Sequence, residues 1–179
     1  LALESGCEVY GVAKGAAKME FLRSLGVQHP IDRGRGDVAE QVNRTLGAHR
    51  IDVSFNAVGG SSFKKDMALL GSGGRIVLFG GSERGTLGAL GTLRFVWRMG
   101  LVVPIFLMMK SQSIIGVNML RISDHHPERI AACLQGMIGA LRSGVVKPHV
   151  HAAYPREKLP DALEALAAGG TIGKVVVKW

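Results

Sequence analysis

Three basic residues sit where strand-like runs give way to loops: Lys14 and Lys18 after the run Glu8–Ala13, and Arg33 just after the run Gln28–Ile31. Ammonium and guanidinium groups gathered at strand ends suit a phosphate, because they supply charge-assisted donors. Taken alone, the two lysines are also what a solvated helix start contains. Two small-residue loops follow. Asn56-Ala57-Val58-Gly59-Gly60 ends one apolar run, and Phe79-Gly80-Gly81-Ser82-Glu83-Arg84-Gly85 ends another. Small residues at such ends let the backbone approach a flat ligand closely, or simply turn the chain. The second loop has a phosphate-loop look, yet neither GxGxxG nor GxxxxGK[ST] is present.

Other chemistry has little to stand on. No nucleophile elbow with Ser, His and Asp in order occurs, and no HExxH, so no catalytic residue is assigned. His125 and His126 precede Pro127 and read as a polar loop and helix entry. His149 and His151 share a strand face without a Cys or carboxylate to complete a site, so no metal is expected. Cys7 and Cys133 lack CxxC spacing and read as small buried hydrophobes, which makes a reducing cytoplasm the expected compartment. Leu1–Tyr10 has neither a basic start nor a small-residue cleavage site and is not expected to be a signal peptide.

The 179 residues suffice for one domain with a full core, and 47% hydrophobic with 20% charged residues is ordinary for a globular protein. The net charge of +8 is interspersed with acids rather than blocked. Without an aromatic platform beside it, nucleic acid is not an expected partner. Leu101–Met109 (LVVPIFLMM), flanked by Arg98 and Lys110, is apolar but short, since a spanning helix needs about 20 residues. It reads as a core helix, a partner surface or an interfacial contact, so membrane association is at most weak.

Strands and helices alternate along nearly the whole chain, and these elements must position the basic residues and loops. The periodicity predicts strands at Glu8–Ala13, Gln28–Ile31, Ile51–Val58, Arg75–Phe79, Ser113–Met119 and Gly173–Trp179, with a short strand entry near His149–His151. Helices are predicted at Ala16–Leu25, Asp37–Leu46, Phe63–Leu70 (capped by Ser61 or Ser62), Pro127–Ser143 and about Leu159–Ala168. Residues 85–110 read as helix and loop. Strands separated by helices argue an α/β fold, a Rossmann-type doubly wound parallel sheet, with ligands beyond the carboxyl ends of the strands. In that fold an acid ending the second strand holds the ribose 2′-hydroxyl of NAD. Here Ala13 occupies the place, and Lys14, Lys18 and Arg33 point to a 2′-phosphate pocket, hence NADPH.

The ordered set Gly26–Asp32, Ile51–Gly60, Gly73–Gly80, Ser113–Val117, Lys147–His149 and Gly173–Val177 resembles the medium-chain dehydrogenase/reductase superfamily. Within it, the zinc-independent quinone oxidoreductases of the zeta-crystallin group are most similar, nearest the vesicle amine transport protein-like branch, which has a comparable insertion at residues 85–110. The resemblance implies NADPH as cofactor, hydride transfer to a small-molecule quinone or other α,β-unsaturated carbonyl, and a homodimer formed partly through Ser113–Met119. It implies that Lys18 holds the 2′-phosphate, with Arg33 where many members carry Tyr. Val58 and Gly59 would lie beneath the cofactor, Gly80, Gly81 and Ser82 beside the nicotinamide ribose, Val117 and Asn118 near the nicotinamide, and Lys174 where the last strand passes the cofactor. It also implies that a first strand, its glycine turn and a GroES-like domain should precede Leu1. On that expectation the chain is a C-terminal portion only, with residues 1–145 a partial Rossmann domain and 146–179 a return segment packing on the absent domain. Two rivals stand beside this reading: an enoyl-thioester reductase like those of polyketide synthases, and a non-catalytic membrane-associated nucleotide-binding module.

Overall fold

The computed structural model describes residues 1–85 and 88–179. They form two compact units, Leu1–Arg35 with Ala132–Trp179, and Gly36–Ala131. In the first unit, β1 (Tyr10–Ala13) and β2 (His29–Asp32) pair in parallel, with Ala13 opposite Asp32. Between them runs α1 (Ala16–Ser24), which buries Met19. Its end is a Schellman closure, with Gly26 N–H on the Arg23 carbonyl (2.9 Å) and Val27 N–H on the Leu22 carbonyl (3.1 Å). Gly26 has φ 83°, which an L side chain resists. The same unit holds a second strand–helix–strand set: β6 (Val150–Pro155), α8 (Leu159–Ala167) and β7 (Lys174–Lys178), with β6 and β7 parallel.

The second unit opens with α2 (Val38–Leu46). Asp37 caps it, accepting from Glu40 N–H at 3.1 Å, and Val42 and Leu46 turn inward. Then come β3 (Ile51–Asn56), α3 (Ser61–Leu69), β4 (Leu70–Leu78) and β5 (Ser113–Gly116), all parallel in the order β3-β4-β5. The core lies on β4: Ile76 is fully buried and packs with Phe63 and Leu70, against which Met67, Met99 and Ile114 close. Residues 88–110 form α4 (Gly88–Met99) and α5 (Pro104–Lys110). They are followed by α6 (Met119–His125) and by the start of α7 (Pro127–Arg142), which from Ala132 onward belongs to the first unit.

The class is the expected one: parallel sheets flanked by helices, a Rossmann-type α/β fold. Among the described residues the strands fall into three parallel sheets, β1-β2, β3-β4-β5 and β6-β7, where the alternation predicts a single sheet. The strand expected at Ser113–Met119 stops at Gly116, since the Asn118 side chain accepts from Arg121 N–H (3.2 Å) and starts α6. Both cysteines are exposed rather than buried. On α7 the residues Leu134, Met137, Ile138 and Leu141 recur at helical spacing, and all four face solvent.

Candidate functional site

At the carboxyl end of β3 a buried side chain organises the loop. Asn56 Oδ1 accepts from the N–H groups of Val58 (2.9 Å) and Gly59 (2.7 Å), while Nδ2 donates to Ser62 Oγ (2.9 Å) and Asp66 Oδ2 (2.7 Å). Ser54 Oγ donates to the same Asp66 oxygen at 2.8 Å. The loop after β4 is stitched to this one by backbone bonds. Phe79 N–H reaches the Asn56 carbonyl, Ser82 N–H that of Ala57 (3.2 Å), and Glu83 N–H that of Val58 (3.1 Å). Val117 N–H, just past β5, bonds the Leu78 carbonyl at 2.8 Å. Val58, Gly59, Phe79, Gly80, Gly81, Ser82 and Val117 thus gather at one end of the β3-β4-β5 sheet, with Asn118 next as the cap of α6. Val58 and Phe79 remain exposed.

The glycines there have neighbours within the chain. A Cβ on Gly59 (φ 67°) would stand 2.5 Å from Phe95 Cζ, and one on Gly81 3.2 Å from it. A Cβ on Gly60 would meet the Glu83 carboxylate, and one on Gly80 the Ala57 carbonyl oxygen at 2.6 Å. So α4 lays Phe95 over both loops, and Glu83 takes the capping place expected of a serine. Glu83 Oε2 accepts from Ser61 N–H (2.6 Å) and Ser61 Oγ (2.8 Å), and Oε1 pairs with Arg98 of α4 at 2.5 Å. A carboxylate at a helix start also complements the helix dipole. Burial pushes the Glu83 carboxyl up, but the hydrogen bonds from Arg98 and Ser61 outweigh it and hold the group below the usual carboxylate range.

The first unit carries Lys14, Lys18, Arg33 and Lys174. Asp32, buried and opposite Ala13, governs their surroundings. Its Oδ1 accepts from Gly15 N–H (3.1 Å) and Gly34 N–H (2.8 Å), tying the turn after β1 to the turn after β2. Its Oδ2 lies 3.6 Å from Arg35 Nε. The bonds from Gly15 and Gly34, aided by Arg35 and Lys14, hold Asp32 below the usual carboxylate range against the effect of burial. Lys14 lies across Gly34 and is exposed, as is Arg33. Lys18 instead donates to the Gly169 carbonyl at 2.7 Å, just past the end of α8. Lys174 starts β7, its N–H on the His149 carbonyl at 2.8 Å.

The structure therefore brings Lys14 and Arg33 to the β1 and β2 ends and sends Lys18 and Lys174 toward the β6–α8–β7 set. Phe95 and Asp32 are missed from sequence, as are the hydrogen-bonding roles of Asn56 and Glu83, which the sequence shows only as members of their loops. Only Asn56 and Asp32 had a signal, as polar residues ending apolar strands. Among the described residues no group of three or more His, Cys, Asp or Glu is placed to hold a metal ion.

A family model described as zinc-binding dehydrogenase matches residues 25–177. The chain belongs to the zinc-binding dehydrogenase family. The donor set that a zinc ion needs is not met by the described residues. The human synaptic vesicle membrane protein VAT-1 homolog is 26% identical over 175 residues, covering 94% of this chain and 43% of that protein. Human quinone oxidoreductase is 25% identical over 173 residues, covering 96% of this chain and 47% of its own length. A mycocerosic acid synthase-like polyketide synthase of Mycobacterium tuberculosis is 22% identical over 99% of this chain and 8% of itself. The crystal structure of CurA in complex with NADPH from Vibrio vulnificus superposes with TM-score 0.72 at 28% identity, covering 98% of this chain and 50% of that one.

These comparisons correct one expectation. The chain was expected to be a C-terminal portion only, whereas the matches run through 94–99% of this chain. The chain spans less than half the length of the VAT-1 homolog and the quinone oxidoreductase that it matches.

Proposed function

We propose that this chain is the dinucleotide-binding part of an oxidoreductase that uses NADPH to reduce a conjugated carbonyl compound. The observation that carries the cofactor reading is the surface at the ends of β1 and β2. Lys14 and Arg33 are exposed there, while Asp32, the carboxylate beside them, is turned inward and engaged by Gly15, Gly34 and Arg35. A 2′-phosphate would meet two cations and no outward acid, which favours NADPH over NADH. The likeness to CurA, solved with NADPH, supports the same assignment. Bound NADPH supplies the hydride. In the second unit the stitched loops offer exposed Val58 and Phe79, an apolar rim suited to a flat ring, and the Asn56 network keeps that rim rigid.

Among conjugated carbonyls we favour an enoyl thioester. Its support is the match to a polyketide synthase along 99% of the chain, together with the resemblance to such reductases in the sequence. A quinone is the second reading, supported by the match to human quinone oxidoreductase. A homodimer through the outer edge of β5 belongs to the same proposal.

Titration calorimetry of the chain with NADPH and NADH tests the cofactor. NADPH is expected to bind about ten-fold tighter, since each exposed cation is worth about 1 kcal/mol at most. Lys14→Ala with Arg33→Ala should erase the preference, and NADH binding as tightly as NADPH overturns the assignment. Oxidation of NADPH by the whole natural protein, with a short 2-enoyl thioester and with benzoquinone, separates the two substrates.

A further inference from the structure

The loops of the candidate site follow the carboxyl ends of β3, β4 and β5. The opposite end of the same sheet carries a cavity of about 390 Å³, inside the size range of small-molecule pockets. Its lining comes from residues at or just before the strand starts: Arg50 ahead of β3, Leu70 opening β4, and Lys110 and Gln112 ahead of β5. From Ile51 to Asn56 the strand runs about 17 Å, so a ligand held here would not reach the loops that Asn56 organises.

Part of the wall is apolar and firmly held. Leu70 is buried, Met67 is half-buried, and Met109 adds an exposed thioether. Gln112 Nε2 donates to the carbonyls of Leu70 (3.0 Å) and Met67 (3.4 Å), tying the segment ahead of β5 to the end of α3. Gly73 N–H on the Ser111 carbonyl at 2.7 Å ties β4 to the end of α5. Ser111 is left-handed, with φ 50°, alone among the described residues other than glycine. Such a conformation persists where its surroundings enforce it, and here the turn sets Lys110 and Gln112, one on each side of it, along one cavity.

Two cations complete the lining. Arg50 and Lys110 are exposed, no described lining residue is acidic, and neither cation has a carboxylate partner among the described residues. Arg50 Nη1 donates to the His49 carbonyl (3.0 Å), which leaves the rest of its fork available. Its stem lies against Gly71, where a Cβ would stand 2.8 Å from Arg50 Cβ. The one acid of α3, Asp66, is engaged by Ser54 and Asn56, and Asp52 does not line the cavity. The carboxyl ends of α3 and α5 bring about half a negative charge each. Their last carbonyls already accept from Gln112 and Ser111, and two whole positive charges outweigh them. Lys110 suits a helix end by itself, but Arg50 lies outside every helix.

We propose that this cavity binds a small organic carboxylate, its anion between Arg50 and Lys110 and a short hydrocarbon body against Met67, Leu70 and Met109. A guanidinium fork matches a carboxylate through two parallel bonds, and methionine adapts to bodies of differing shape. Amide chemical shifts of the isotope-labelled full chain, titrated with sodium hexanoate and with sodium benzoate, test it. At least one acid is expected to move Gly71, Ser72 and the Gln112 side-chain amide while Gly59 and Gly81 stay in place. Inorganic phosphate and hexanol, which each offer half of the chemistry, should bind at least about ten-fold more weakly. Arg50→Gln and Lys110→Gln should each weaken binding about five-fold. Both are surface changes, and the shifts of the parent chain locate the site if a variant unfolds. No binding of either acid, shifts centred elsewhere, or equal binding of phosphate or hexanol overturns the proposal. So does displacement of the acid by NADPH, which would place the cavity within the cofactor site. The acid titrations need no bound NADPH, so their outcome is separate from that of the proposed function.

Discussion

Replacing Asn56 by alanine removes the acceptor for two backbone donors at once. Gly59 N–H is buried and Val58 N–H partly so, and both are bonded to Asn56 Oδ1. Orphaning a buried donor costs about 1–3 kcal/mol. Taking about 2 for Gly59 and about 1 for Val58 gives about 3 kcal/mol for Asn56→Ala. With a urea slope of about 2 kcal/mol per molar, the midpoint falls by about 1.5 M. Trp97 fluorescence in a Trp179→Phe background reads the second unit by itself. Asn56→Asp sharpens the test. It keeps the acceptor for both N–H groups but sets a second carboxylate where the amide lay 2.7 Å from Asp66. Two carboxylates that close cannot both ionise, so one is raised above its unfolded value. The folded state then binds the extra proton, and the deficit grows as pH rises above about 4 and shrinks on acidification. An Asn56→Ala midpoint within about 0.25 M of the parent chain's, which is about 0.5 kcal/mol at that slope, or an Asn56→Asp deficit that worsens in acid, refutes the role given to this side chain.

Asp32, Asp37 and Glu83 are all held below the usual carboxylate range, so the unfolded chain takes up protons first as pH falls. Their contribution is complete above the unfolded values, near 4, and is lost as pH drops through the folded values. Asp32→Asn and Glu83→Gln should flatten the acid limb of a plot of urea midpoint against pH, and an unaltered limb would contradict the assignment. Gly59→Ala should cost about 1 kcal/mol for its left-handed backbone and more for the clash with Phe95. Phe95→Ala should relieve the clash, so in a double-mutant cycle the double variant's loss falls short of the sum of the two single losses, and strict additivity would count against the contact. Lys18→Met should speed amide exchange in the last turn of α8, where Lys18 bonds the Gly169 carbonyl, with less than about 1 kcal/mol of global change. Unchanged exchange there would show that the bond is not kept in solution.

Much of the second unit was legible because its cues are local. Alternating apolar runs and glycine stops give β3, α3 and β4, and Asp37 with Glu40 announces α2. Asn118 is a local cue as well, but the apolar residues before it favoured a longer strand over a helix cap. The strand end at Asn56 was placed two residues late, since nothing in Ala57-Val58 shows that the Asn56 amide has already turned the chain. Partners far away in sequence were out of reach. Phe95 meets Gly59 from 36 residues on by the numbering, and Lys18 meets Gly169 across 151. Exposure was misjudged for Cys7 and Cys133 because a place in an apolar pattern says which residues share a face, not what covers it.

The sheets differ in how firmly they are held. Among the described strands, β4 has neighbours on both edges, whereas β1, β2, β6 and β7 each pair on one. Two-stranded pairs are marginal in water, and a central strand opens only with the whole. The consequence is a graded molecule. Its amides should be slowest to exchange around Ile76 and fastest along β1 and β7. A protease would find its entry at the two-stranded ribbons while the Asn56-stitched loops were still closed. The elements bearing Lys14 and Arg33 are therefore the ones with most order to gain when a phosphate arrives.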